Sequence, residues 1–335
     1  MTTPEISVIM PVYNAAEFLA ESIESILNQT FSNFELIILN DKSTDNSLEI
    51  ISKYQRSDSR IIIVDKDINI GPANVRNEGL AIAKGEFIAL MDADDIALPV
   101  RFEKQINVLK NNPDIGLCGT WFTFFGLRKK TVKHSEKHDA IKISFLHSCG
   151  IGNPTVMLRK ESLSGLHFDN TFTVSEDYDL WSRLLSKTTF YNIPEPLLLY
   201  RWHSNNISKT RLMNEEKAIR RIKINQLKEF GIESSDPKID FYLNAISLKK
   251  KLFPDEIFEV IAASKHLIDQ NRKFNNYNQD LLEHHLEKTL IRTIRNAGKY
   301  DAAFYNKLKK NEKVLFKKIN TLDKIIIFFK SVTGK

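Results

Sequence analysis

Gly85-Glu86-Phe87-Ile88-Ala89-Leu90-Met91-Asp92-Ala93-Asp94-Asp95 is the stretch on which the reading of this chain turns. The run from Phe87 to Met91 is apolar and reads as a buried strand, and it ends directly in three carboxylates within four residues. Acids crowded this closely repel one another, and each would hold a raised pKa unless a cation sat among them. A hard divalent ion, Mg²⁺ or Mn²⁺, resolves the conflict: it takes one or two protein carboxylates and fills its other positions with substrate phosphate oxygens. Capping of a helix that starts near Pro99 by Asp94 or Asp95 would account for one of these acids, not for all three.

Upstream, strand and helix signals alternate. Apolar runs at 6–12, 34–39 and 61–64 read as strands. A helical pattern through Phe18, Leu19, Ile23, Ile26 and Leu27 follows the first run, and Ser43 or Thr44 is placed to cap a helix through Leu48, Ile50 and Ile51. The turn Asn69-Ile70-Gly71-Pro72 precedes a third helix over 73–84. Strands joined by helical crossovers predict an α/β fold with a mostly parallel sheet covered on both faces. Ligands of such sheets bind beyond the carboxyl ends of the strands, which is where Asp41 and the 92–95 acids fall. Neither G-x-G-x-x-G after the first strand nor G-x-x-x-x-G-K-[ST] occurs, so a bound nucleotide must be held by side chains and metal. Tyr13 can pack on a base, Asp41 can accept from a base N–H or merely begin an Asx-turn, and Arg76 can pair with phosphate or lie on a helix surface.

Taken together, Pro11-Val12-Tyr13-Asn14, Asn40-Asp41-Lys42-Ser43-Thr44-Asp45-Asn46-Ser47, Gly71 with Arg76-Asn77-Glu78-Gly79 and Gly85-Glu86, Asp92-Ala93-Asp94-Asp95, and Ser175-Glu176-Asp177-Tyr178-Asp179-Leu180-Trp181 resemble the family 2 glycosyltransferases of the GT-A fold. The order and spacing of these motifs over residues 5–205 carry the likeness. The resemblance implies a nucleotide-sugar site built from Pro11, Val12, Tyr13, Asn14, Asp41, Arg76, Asp92, Ala93, Asp94 and Glu176. By the same likeness Asp41 contacts a uracil-type base, Asp92 lies near the donor ribose, Asp94 and His203 are metal ligands for Mn²⁺ or Mg²⁺, and Asp177 is the catalytic base. The activity implied is metal-dependent, inverting transfer from a nucleoside-diphosphate sugar, a UDP-sugar, to a hydroxyl of a glycan or lipid-linked saccharide, in bacterial surface-polysaccharide synthesis. Two positions depart from the family pattern: Asn40 replaces the first of two adjacent aspartates, and Lys42 replaces a glycine.

Beyond Cys118 the alternation weakens. Residues 118–125 and 156–158 read as strands, Arg128-Lys129-Lys130 as a solvent-facing turn, and Gly150-Ile151-Gly152-Asn153-Pro154-Thr155 as a loop. Acids at Glu176, Asp177 and Asp179 begin a helix and complement its dipole. The strand Leu197-Leu198-Leu199-Tyr200-Arg201-Trp202-His203 ends in polar residues, and the polar segment 205–211 suits a flap.

Residues 1–210 are expected to form the GT-A domain and 211–335 a helical C-terminal domain, with helices at 214–230, 238–252, 255–269 and 281–296. Lys and Arg number 22 against 26 Asp and Glu up to Thr210, but 26 against 16 after it, so the net +6 belongs to the C-terminal third. There, lysines precede Ile325-Ile326-Ile327-Phe328-Phe329, a cluster that suits an interfacial helix on anionic lipid, packing onto the helical domain, or a homodimer contact. Nucleic acid is not expected as a partner, since the tail has no tryptophan and no RNA-binding signature. Cys118 and Cys149 lack metal or disulfide spacing and fit a reducing cytoplasm, with the inner membrane face as the place of any lipid contact. No secretory signal and no run of eighteen apolar residues is recognisable.

Overall fold

The computed structural model describes residues 3–203, 212–247, 252–297 and 302–333. The chain divides into two compact units, Met1–Phe145 with Cys149–Ile219, and Leu146–Ser148 with Arg220–Lys335. The expected boundary at 210/211 and the expected flap at 205–211 lie outside the described residues.

The first unit is built on one nine-stranded sheet. Its strands are β1 (Ile6–Val12), β2 (Phe34–Asn40), β3 (Ile61–Asp65), β4 (Phe87–Leu90), β5 (Ile96–Ala97), β6 (Ile115–Gly126), β7 (Lys130–Val132), β8 (Met157–Arg159) and β9 (Thr189–Trp202). They lie in the order β3-β2-β1-β4-β8-β6-β9-β5, with β7 on the side of β6. The helices are α1 (Leu19–Leu27), α2 (Ser47–Ser57), α3 (Pro72–Ile82), α4 (Arg101–Asn111), α5 (His138–Phe145) and α6 (Glu176–Leu184).

Strands β1 to β4 pair in parallel, and β8 then joins β4 antiparallel. The apolar runs are continuous because both faces are covered. On one face Val8, Met10, Leu36 and Ile38 pack with Leu19, Ile23 and Ile26 of α1 and Phe102 and Ile106 of α4. On the other, α3 lies so close that a Cβ on Gly79 would stand 2.7 Å from Ile9 Cγ2. The buried Glu35 is satisfied by Ser7 Oγ (2.6 Å) and the Lys84 amide (2.7 Å). Gly85 admits no side chain, since its Cβ would meet the Ser7 nitrogen at 2.6 Å.

The chain runs outward through β1, β2 and β3 and then returns to place β4 on the other side of β1. The reversal between β1 and β4 opens a crevice at the carboxyl ends of these strands. Pro11 is tolerated because pairing with β4 ends at Ile9, so its missing N–H costs nothing on that side.

In the second unit, helices Ile239–Ile246, Pro254–Phe274 and Gln279–Arg295 bury Ile257, Ile261, Leu267, Leu282, Leu286 and Ile294. Gly231 ends the first turn-and-helix segment at φ +71°, and Asn278 caps the helix at 279 by accepting from the Leu281 amide. The expected helix over 238–252 is shorter, Ile239–Ile246, and residues 248–251 lie outside the described part. His285 Nε2 contacts the Ile246 carbonyl at 2.8 Å.

Candidate active site

Three loops at the carboxyl edge of the sheet bring the expected residues together. The first is locked to the second by side-chain hydrogen bonds: Asn14 Oδ1 accepts from the Thr44 amide (2.7 Å), the Asn14 amide donates to Ser43 Oγ (3.0 Å), the Ala15 amide to Ser47 Oγ (3.0 Å) and the Ala16 amide to Asp45 Oδ2 (3.0 Å). Ser43 and Thr44 are therefore occupied with loop closure, and α2 begins after Asn46 without a side-chain cap, a correction to the expected cap. Val12 is buried, and Tyr13 stands 55 % exposed at the rim. Lys42 adopts φ +63°, the left-handed backbone that glycine adopts most easily.

Asp41 is buried, with Oδ1 accepting from the Ile70 amide (2.7 Å) and Oδ2 from the Gly71 amide (2.9 Å). It shapes the turn before α3, and each oxygen keeps a lone pair for another donor.

The acids after β4 divide into three environments. Asp92 accepts from Arg76 Nη2 at 3.2 Å, and burial, followed by the charge of Asp94, raises its pKa against the pull of Arg76. Asp94 Oδ2 lies 3.0 Å from His203 Nε2. Asp95 is buried, its Oδ1 accepting from the Arg201 amide at 2.8 Å while Oδ2 has no partner among the described residues. Burial and the charges of Asp94 and Asp92 push its carboxyl well above the usual range. Neither Asp94 nor Asp95 caps a helix: α4 starts after Val100. Ala93 is buried, and its carbonyl accepts from Ser22 Oγ at 2.8 Å.

Arg76, on α3, reaches both walls of the crevice: Nη1 contacts Glu176 Oε1 at 2.6 Å while Nη2 holds Asp92. Glu176 opens α6 after Ser175, whose φ of +60° turns the chain sharply into the helix. Asp177 follows in the first turn. Burial, then the neighbouring Glu176, raises its pKa to about 6, with Arg76 and the Tyr178 amide opposing. A carboxylate poised there is a competent proton acceptor near neutral pH.

Arg201 and Asn77 take positioning roles that the sequence does not assign them. Arg201 donates from Nε to the Asp94 carbonyl (2.8 Å), pairs with Glu21, and stacks over Phe18 and Phe125 at 4.5 and 4.4 Å. Asn77 clamps the approach to α6 by exchanging hydrogen bonds with the Phe168 backbone at 2.8 and 2.9 Å. The sequence signal for Arg201 is its place two residues before His203, at the end of β9, where both side chains reach the Asp94 loop.

Asp94 Oδ2 and His203 Nε2, in direct contact at 3.0 Å, are the oxygen and nitrogen that could turn to a divalent ion. Among the described residues no group of three or more His, Cys, Asp or Glu is placed to hold an ion. A pair of protein ligands leaves most coordination positions for substrate oxygens, which suits a catalytic rather than a structural site.

A doubly wound parallel half-sheet with an acidic strand end and a facing acidic helix start is the arrangement of a GT-A nucleotide-sugar transferase. Residues 7–165 match the Glycosyl transferase family 2 model. An uncharacterized glycosyltransferase of Haemophilus influenzae is 30% identical over 339 residues, covering 96% of this chain and 98% of that one. WfgD of Escherichia coli, a UDP-Glc:alpha-D-GlcNAc-diphosphoundecaprenol beta-1,3-glucosyltransferase, is 32% identical over 252 residues, 74% of this chain and 95% of WfgD. The mannosyltransferase PcManGT from Pyrobaculum calidifontis, solved with GDP-Man and Mn²⁺, shares the fold with a TM-score of 0.54 at 14% identity, covering 88% of each chain. The chain belongs to glycosyltransferase family 2 and is a glycosyltransferase.

Proposed function

We propose that this protein transfers a sugar, with inversion, from a UDP-sugar to a hydroxyl of a glycan or lipid-linked saccharide in surface-polysaccharide synthesis, with a divalent ion at Asp94 and His203. The observation that supports the reading is Arg76, which ties Asp92 of the acidic loop to Glu176, the residue before the expected base Asp177. Asp177 accepts the acceptor hydroxyl proton as the new C1–O bond forms and the bond from C1 to the diphosphate breaks. A bound ion would neutralise charge on the departing diphosphate. The mixed oxygen and nitrogen donors favour Mn²⁺ over Mg²⁺, which prefers oxygen ligands alone. PcManGT carries Mn²⁺ in its crystal.

Asp41 is the expected base contact through the lone pairs its turn leaves unused, and the exposed Tyr13, which follows Val12, whose carbonyl accepts from the Asp41 amide at 2.8 Å, is the expected stacking surface. WfgD uses UDP-Glc and a diphosphoundecaprenol-linked acceptor, which supports both halves of the substrate assignment. Residues 1–210 form the catalytic domain and 211–335 the helical one in this reading. No helix among the described residues is long and apolar enough to cross a membrane. The proposed location is the cytoplasm, where the enzyme would meet lipid-linked acceptor at the inner membrane face. The test is a panel of UDP-, GDP- and TDP-sugars with Mn²⁺ and a lipid-linked acceptor, the product anomer being read by NMR. Inverted product from a UDP-sugar is expected; a retained anomeric configuration, or turnover with GDP- or TDP-sugars alone, contradicts the assignment.

A further inference from the structure

The last helix of the described chain, Thr321–Thr333, is amphipathic the wrong way round for a helix that only packs on its own domain. Its buried positions, Asp323, Ile327 and Ser331, follow a four-residue spacing, and two of the three are polar. Asp323 is held there by Asn320 Nδ2 at 2.8 Å and by Arg295 at 3.6 Å. The opposite side presents Leu322, Ile325, Phe328, Phe329 and Val332, with Leu322, Phe329 and Val332 each at least 60% exposed. Spacings of three and four along 322, 325, 329 and 332 make this one continuous stripe. Val314, 73% exposed, adds a further apolar side chain from the preceding helix, Lys313–Lys318.

The surroundings are basic. Residues 302–333 carry eight lysines against Glu312 and Asp323, a net of +6. Lys309, Lys310, Lys313 and Lys317 are exposed, and Lys324 lies with its ammonium 5.3 Å from the Phe316 ring. An apolar stripe bordered by lysines fits the interface of an anionic bilayer, where the rings enter the acyl boundary and the ammonium groups meet the headgroups. A second copy fits poorly, because a two-fold contact on this face would set one lysine-rich segment against its twin. Nucleic acid fits poorly because it offers nothing for an aliphatic and phenyl stripe to enter.

We infer that the helix Thr321–Thr333 and the lysines preceding it form a docking surface for an anionic lipid bilayer. The proposed lipid-linked acceptor gives such docking a purpose, but the surface is argued from its own residues. The test uses the full chain and vesicles of phosphatidylcholine with and without phosphatidylglycerol, read by co-sedimentation. Binding is expected only with phosphatidylglycerol and is expected to weaken as NaCl rises from about 0.1 to about 0.5 M. Ile325→Glu with Phe329→Glu is expected to lower vesicle binding by about tenfold or more. Lys309→Glu, Lys310→Glu and Lys313→Glu together, which leave the apolar stripe intact, are expected to abolish the preference for phosphatidylglycerol and serve if the first variant misfolds. Transfer to a detergent-dispersed acceptor is expected to be unchanged in both variants, which separates this inference from the catalytic reading. No binding to phosphatidylglycerol vesicles by the parent protein overturns the proposal. Undiminished binding by a folded variant overturns it too, as does a dimer in sedimentation velocity that Ile325→Glu with Phe329→Glu dissolves, since that gives the face to a second copy.

Discussion

Arg76 and Glu176, one hundred residues apart in the chain, form a buried ion pair with Nη1 2.6 Å from Oε1. Because the same guanidinium holds Asp92, removing it strands two carboxylates in a crevice whose other charges are also acidic. Arg76→Met is expected to cost about 3–5 kcal/mol, the range for breaking a buried pair from one side. Arg76→Lys should fall between, since a single ammonium cannot reproduce the two-armed contact. Urea denaturation reads both, and an unchanged midpoint for Arg76→Met would remove the bridge from the account.

The pKa of Asp177, raised to about 6 by burial and by Glu176, predicts an acid limb in transfer. The base must be unprotonated, so kcat/KM should fall about tenfold per pH unit below the folded pKa and be flat from this group above it. A profile measured between pH 5 and 8 (about the span that brackets this pKa) checks it; no decline on the acid side is the contrary result.

The same shift makes Asp177 a stability liability. Its folded pKa lies above the unfolded value, so between about pH 4 and 6 the folded state binds more protons, and stability falls as pH rises through that window. Asp177→Asn is expected to lower transfer by about 10²–10⁴-fold while raising stability at pH 7 by about 1–2 kcal/mol, less than the full shift because the side chain is only partly buried. The gain should vanish below about pH 4, where the native carboxyl is protonated in both states. Thermal melts at the two pH values decide it, and an Asn variant that is less stable at pH 7 speaks against the raised pKa.

Arg201 holds the acidic loop through its side chain as well as its backbone. Arg201→Met keeps the amide bond to Asp95 but frees the Asp94 carbonyl and the stacking on Phe18 and Phe125. An expected loss of about 1–2 kcal/mol in metal-supported nucleotide binding, with the melting curve little changed, would mark it as a positioning residue; equal binding would make it structural only.

The parallel half of the sheet could be read from residues because its strands are buried on both faces and so appear as unbroken apolar runs. The second half resisted. In β9 the stretch Asn192-Ile193-Pro194-Glu195-Pro196 interrupts the pattern, and its register on β6 shifts at Thr120 and Trp121. The acidic motif was legible as a cluster, but the division of labour inside it was not. That depends on Arg76, Arg201 and His203, which reach Asp92, Asp95 and Asp94 across 16, 106 and 109 residues. Lys42 is the opposite case: it stands where the family pattern has glycine although its backbone is left-handed, and nothing in the structure explains the lysine.

Asp94 and His203 are proposed to hold a divalent ion that grips the nucleoside diphosphate, and calorimetric titration of UDP with and without Mn²⁺ reads this. The native protein should bind UDP about tenfold or more tighter with the ion, and Asp94→Ala and His203→Ala should each lose that enhancement while keeping metal-free affinity. Equal affinity with and without Mn²⁺ in the native protein, or full enhancement surviving in Asp94→Ala, would contradict it.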